Sequence, residues 1–220
     1  MKKIHQWLWR GVLFAALLLF LAGSLMAQIL TRYQAQSTGS KMKIDGDSTA
    51  HKWTVECSVV GGYFELDPAF AAAPQNAATG KVNAKVSVIV PVRQLKSTVL
   101  VGKQSMDNVM HEALKVQQFP RIEYRLTELT LKEAPKSADA PIQLSSKGDL
   151  AVAGVTNQIT MPVTLMRVDK NKLKATGSIP LKMSSFKIER PGLLGIARAD
   201  DDVVVSFEWL MAIPEKTEAK

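Results

Sequence analysis

The chain has 220 residues, a formal net charge of +8 and one cysteine. That length suits a single domain with a sizeable core, and one cysteine excludes an intramolecular disulfide, so stability has to come from burial. Basic and acidic residues are interspersed, as in Lys81, Lys85, Arg121, Glu123 and Arg125, the pattern of a solvated face and not of a nucleic-acid patch.

Residues 1–27 place Lys2, Lys3 and Arg10 ahead of an uncharged run from Gly11 to Leu21, followed by the small residues Ala22, Gly23, Ser24 and Ala27. These zones fit a secretory signal peptide, which would put the remaining 193 residues, carrying a net charge of +5, outside the cytoplasm. The alternative is an uncleaved signal acting as an inner-membrane anchor, since the apolar stretch approaches the roughly 20 residues of a span. Ser24 and Gln28 interrupt that stretch. The residual positive charge also leaves a weak, transient attraction to anionic membrane surfaces.

The mature chain, whose domain is read as residues 38–213, alternates apolar and polar residues with a period of two. Trp53, Val55, Cys57 and Val59 share one face; so do Val82, Ala84, Val86, Val88 and Val90, and then Ile122, Tyr124 and Leu126. The pattern returns at Leu150–Val152, at Ile159, Met161, Val163 and Leu165, through Leu173 to Met183, and from Val203 to Met211. Asp45-Gly46, Gly61-Gly62, Asp169-Lys170-Asn171 and Asp200-Asp201-Asp202 read as the turns between antiparallel neighbours. Residues 67–80 and 133–141 read as surface loops, and the polar tail 214–220 as disordered.

One segment keeps a helical period. Met106, Val109, Met110, Ala113 and Leu114 form an apolar stripe within residues 105–117, with Ser105 as the expected cap, Asp107 in the first turn and Pro120 as the stop. The fold class expected is all-β: an antiparallel sheet closing on itself as a β-barrel of about eight strands, with one amphipathic helix.

Catalytic chemistry is scarce. His5, His51 and His111 have no metal-ligand spacing, and there is no phosphate loop or nucleophile elbow. Three adjacent acids at 200–202 are the composition of a solvated turn, so no metal and no catalytic residue is assigned. Cys57 faces inward as a core thiol. Apolar, adaptable side chains are plentiful instead: Met106, Met110, Met161 and Met183, with Phe119, Tyr124, Phe186, Phe207 and Trp209. A barrel of this size either packs full or holds one small ligand, and the small residues Ala84, Ala175 and Gly177 would leave space.

Four segments carry a resemblance. They are Ser48-Thr49-Ala50-His51-Lys52-Trp53; residues 105–114 followed by Phe119-Pro120-Arg121-Ile122; residues 148–156; and residues 180–188. In this order, and in register from about Lys41 to Met211, the chain resembles the YceI family of secreted bacterial proteins. The resemblance implies a lipocalin-like barrel whose apolar tunnel takes polyisoprenoids such as isoprenoid-quinone tails, with the helix around Met106–Leu114 helping to wall the tunnel. The function expected is that of a periplasmic carrier sequestering a polyisoprenoid or other long-chain amphiphile, with no enzymatic activity and no cofactor beyond a bound isoprenoid quinone or polyprenyl lipid. Its ligand-binding residues would be Trp53, Val88, Met106, Met110, Leu114, Phe119, Tyr124, Met161, Met183, Phe186, Phe207 and Trp209, with His51 as the candidate head-group contact. The rival readings are a stress-related or structural binding module with a filled core, and an enzyme acting on isoprenoid quinones. A homodimer is compatible with either kind of protein.

Overall fold

The computed structural model describes residues 29–98, 103–193 and 197–215. The expected signal segment and most of the expected disordered tail lie outside them. Thirteen strands make one antiparallel sheet: β1 (Thr31–Ala35), β2 (Lys41–Ser48), β3 (Trp53–Cys57), β4 (Gly61–Leu66), β5 (Gly80–Val82), β6 (Ala84–Pro91), β7 (Lys96–Ser97), β8 (Arg121–Leu131), β9 (Ile142–Val152), β10 (Val155–Arg167), β11 (Lys172–Lys182), β12 (Gly192–Leu193) and β13 (Ala197–Ala212). Among the described residues two helices accompany them, α1 (Pro68–Ala72) and α2 (Lys103–Ala113).

The sheet closes on itself as β1-β4-β6-β8-β9-β10-β11-β13 and back to β1, a ring of eight. β13 carries two neighbours on one edge. Its C-terminal residues Met211 and Ala212 pair with β1, whereas residues 199–208 pair with β2, which leads on to β3 and β7. The ring is therefore tight at one end, and at the other a three-strand flap, β2-β3-β7, takes over the edge of β13.

The two halves are filled differently. At the β1 end Leu66, Leu131, Leu165 and Met211 are almost completely buried, each worth roughly 1.5–3 kcal/mol of burial. Helix α1 sits at that end with Phe70 buried; Asp67 caps it by accepting from the Ala69 N–H at 2.8 Å, and Arg167 donates to the Ala71 carbonyl. The other half is hollow.

Several local expectations are corrected. Asp45-Gly46 lies inside β2, Gly61-Gly62 opens β4, and the acidic run 200–202 lies inside β13. Residues 67–80 hold α1 and a further helical turn, Pro74–Asn76, because Asp67-Pro68 supplies a cap and a first helical residue. Val59 is exposed, since β3 ends at Cys57 and the alternation stops with it. The Asp169–Asn171 turn joins β10 to β11, and residues 133–141 lie between β8 and β9. The tightest hairpin is one the turn reading missed: Ala153 and Gly154, with φ of 50° and 84°, connect β9 to β10. Two residues with positive φ are what the twist of paired strands demands.

Candidate functional site

The hollow half encloses a cavity of about 290 Å³. Each ring strand from β6 to β11 contributes two consecutive inward positions: Val88 and Val90, Ile122 and Tyr124, Leu150 and Val152, Ile159 and Met161, Ile179 and Leu181. The long β13 contributes Val203, Val205, Phe207 and Trp209, and the flap adds Met42, Ile44, Trp53 and Val55. Among the described residues, polar lining is confined to Ser48, His51, Ser97 and Lys182, apart from the aromatic rings that carry a polar edge. Such a lining suits an apolar occupant.

Helix α2 forms one wall with Met106, Val109, Met110, Ala113 and Leu114, the stripe read from the sequence. The helix starts earlier than expected, at Lys103, so Ser105 lies within it and Asp107 is past the first turn. Asp107 has another task. Its buried carboxylate accepts from the Ser97 N–H at 2.7 Å and pairs with Lys96 at 3.4 Å, while His111, four residues on, donates from Nε2 to the Leu95 carbonyl at 3.1 Å. Both anchors tie α2 to β7 and the residue before it. Lys115 takes a φ of 52° and ends the helix short of the expected Gln117.

A second wall is the helical turn Met183–Phe186, which follows β11 and brings Met183 and Phe186 to the cavity. Asp201 holds this turn, accepting from the Ser184 N–H at 2.7 Å and from its hydroxyl at 2.6 Å. Those two donors, then Lys182 and Arg190, hold the Asp201 carboxyl below the usual carboxylate range. The register shift of β13 between Ala199 and Val203 puts extra residues opposite β2 in this stretch, as a β-bulge does when it re-aims a side chain. Lys182 pairs with Asp202 at 2.7 Å beside it.

Cross-strand packing sets the remaining rings. Trp53 faces Gly46 across β2 and β3; an added Cβ on Gly46 would stand 2.1 Å from the indole, and the Trp53 Nε1 donates to the Asp47 carbonyl at 2.9 Å. The Tyr124 hydroxyl meets Ser146 Oγ at 2.7 Å in a buried pair, and burial pushes the phenol above its ordinary pKa. Burial likewise pushes the Cys57 thiol up. The indole Nε1 of Trp209 is buried without a hydrogen-bond partner among the described residues.

The lining residues that are also exposed, His51, Lys182 and Gly192, mark where the cavity meets solvent. At this mouth His51 Nδ1 is 2.9 Å from the Lys52 carbonyl. A carbonyl only accepts, so Nδ1 is the donor in this contact.

Of the residues singled out in the sequence, Trp53, Val88, Met106, Met110, Leu114 and Tyr124 line this cavity, as do Met161, Met183, Phe186, Phe207, Trp209 and His51. Phe119 does not. It is 37% exposed, and its ring lies over Gly154 at the β9–β10 hairpin, where an added Cβ would come within 2.4 Å of it; once Lys115 ends the helix, the stripe no longer carries Phe119 to the wall. The sequence reading missed the aliphatic lining, such as Ile44, Ile179 and Val205, which the same period-two parity offered. It also missed Asp107, Asp201 and His111 as anchors, because their partners are separated from them in sequence.

Among the described residues no three His, Cys, Asp or Glu side chains converge as a metal site. The fold and cavity define a closed antiparallel barrel, packed at one end and hollow at the other, with an apolar chamber walled by a helix. The chain belongs to the YceI family: the YceI-like domain matches residues 33–210. Among solved structures, Burkholderia cenocepacia BcnA superposes with a TM-score of 0.59 at 16% identity, covering 80% of this chain and 98% of that one. A polyisoprenoid binding domain from Saccharophagus degradans, implicated in plant cell wall breakdown, gives 0.60 at 11% identity over 84% and 99%. The Campylobacter jejuni YceI protein gives 0.53 at 16% identity over 73% and 85%. No curated protein matches the chain by the same standard.

Proposed function

We propose that the protein is a periplasmic carrier that sequesters the apolar chain of a polyisoprenoid or other long-chain amphiphile, without transforming it. The observation that carries this reading is the apolar chamber: transfer of each CH2-sized group from water into it contributes about 0.8 kcal/mol, enough over a few groups to offset the cost of association. The S. degradans neighbour, described as a polyisoprenoid binding domain, supports the class of ligand, and the signal pattern in residues 1–27 supports the compartment. The polar rim at His51 and Lys182 would keep a head group in water while the chain enters, and would release the cargo at a membrane surface.

An enzyme working on quinones would need a titratable pair at the reacting atoms. The described lining offers Tyr124, which burial keeps protonated, and His51 and Lys182 at the rim, a set better suited to holding than to proton transfer. The test is export of the full chain in a bacterial host followed by native mass spectrometry and solvent extraction. A mature N-terminus between Leu25 and Ile29 and an extractable lipid adduct are expected. An intact Met1 in the membrane fraction would overturn the compartment, and protein purified from the periplasm without any adduct would favour a module with no cargo.

A further inference from the structure

We infer that the chamber selects a cargo whose buried part carries a hydrogen-bond acceptor, a carbonyl or ether oxygen, and that the donor it meets is the indole N–H of Trp209. This rests on the carrier reading and specifies the chemistry of the ligand.

Among the described residues, the polar groups of the lining find partners within the protein, with one exception. Ser48 Oγ donates to the His51 carbonyl at 2.7 Å, His51 Nδ1 to the Lys52 carbonyl at 2.9 Å, and the Ser97 N–H to Asp107 at 2.7 Å. The Tyr124 hydroxyl is paired with Ser146 and the Lys182 ammonium with Asp202. Two tryptophans line the cavity, and the fold treats them oppositely. Trp53 gives its Nε1 proton to the Asp47 carbonyl. Trp209 is 3% exposed, and its Nε1 is buried with no acceptor. The other two buried polar atoms without a hydrogen bond, Gln75 Oε1 and Arg167 Nε, belong to residues outside the lining.

The barrel wall supplies no acceptor to Trp209. Its side chain shares the inward parity of Val203, Val205 and Phe207, and the carbonyls of paired strands point along the sheet into the ladder, so an inward indole meets side chains. Its cross-strand neighbour Ala175 and, beyond that, Leu165 carry no polar side-chain atom. The rim is too far to help. Val203 is opposite Leu181, next to Lys182, and Trp209 lies six residues further along β13, roughly 20 Å at the usual rise per residue. A buried N–H without a partner carries the whole desolvation penalty of that group. An oxygen on the occupant removes the penalty, and a bare hydrocarbon leaves it in place. That oxygen is separate from any head group held at His51 and Lys182.

The experiment titrates two ligands, methyl decyl ketone and the alkene in which a methylene replaces its carbonyl oxygen, into delipidated mature protein and into Trp209→Phe, which keeps a ring and loses the N–H. The ligands differ in their own hydration, so the quantity read is the ketone-to-alkene affinity ratio. It is expected to fall about threefold to tenfold in Trp209→Phe, the worth of one hydrogen bond. The indole N–H proton resonance of Trp209 should also move downfield with the ketone and not with the alkene, while that of Trp53, already bonded to Asp47, responds alike to both. An unchanged ratio, with a Trp209 resonance that does not distinguish the ligands, would overturn the inference and leave the carrier reading intact. Binding of neither ligand would overturn the carrier reading and the inference with it. Should Trp209→Phe fail to fold, the Trp209 resonance of the parent protein decides.

Discussion

Gly177 and Phe207 are partners across β11 and β13, and the missing side chain of one is the seat of the other's ring. A Cβ at Gly177 would also stand 2.9 Å from the Pro162 carbonyl oxygen on β10, so backbone on one side and ring on the other leave a larger residue nowhere to go. Gly177→Val should therefore destabilise the fold by about 1–3 kcal/mol, the usual cost of overpacking, and push Phe207 into the chamber. Urea denaturation together with the amount of bound lipid measures both. Unchanged stability and unchanged lipid content would show that Phe207 has room to spare.

Met110 lies on the cavity wall and Lys170 in the exposed turn between β10 and β11. A carboxylate at the first position is desolvated by a bound chain and finds no partner; at the second it stays in water. Met110→Asp is expected to weaken lipid binding at least about tenfold while Lys170→Asp leaves it unchanged. Equal lipid retention by two folded variants would remove α2 from the binding wall.

The Tyr124–Ser146 pair supplies each buried hydroxyl with a partner. Removing one hydroxyl strands the other, so Tyr124→Phe should cost about 1–3 kcal/mol, whereas the double variant Tyr124→Phe, Ser146→Ala should recover most of it. A double-mutant cycle in denaturant checks this. Additive losses would mean that the two groups do not depend on each other.

Asp201 links stability of the Met183–Phe186 wall to acid. Its folded pKa is below the unfolded value of about 3.9, so the carboxylate's contribution is fully present above that value and is lost as the pH falls through the folded pKa. Lipid retention should be flat across the neutral range and fall only in strong acid, on account of this group. Asp201→Asn, which puts an amide donor where Ser184 needs an acceptor, should release lipid faster at neutral pH. Retention by Asp201→Asn that matches the parent at every pH would remove this clamp from the wall.

Much of the barrel was legible in the chain because a strand declares its buried face two residues at a time. Val203, Val205, Phe207 and Trp209 lie on one parity whatever they pair with, and Met106, Val109, Met110, Ala113 and Leu114 lie on one helical stripe by their spacing alone. Turns were less legible: Asp45-Gly46 has the composition of a turn, yet its glycine sits mid-strand to make room for Trp53. Composition states what a residue permits, and the neighbour decides which permission is used. The same limit hid Asp107, whose carboxylate is ten positions from Ser97, and Asp201, seventeen from Ser184.

The sequence by itself determined the alternating faces, the helix, the reliance on burial without a disulfide, and the family. Only the tertiary structure decided that one half of the barrel is packed and the other hollow, since parity marks Met211 and Trp209 alike as inward and cannot tell a side chain sealed in the packed half from one that lines the cavity. That difference arises because β13 exchanges β1 for the β2-β3-β7 flap along a single edge, widening the ring by strands whose place there is fixed by pairing and not by any pattern of their own.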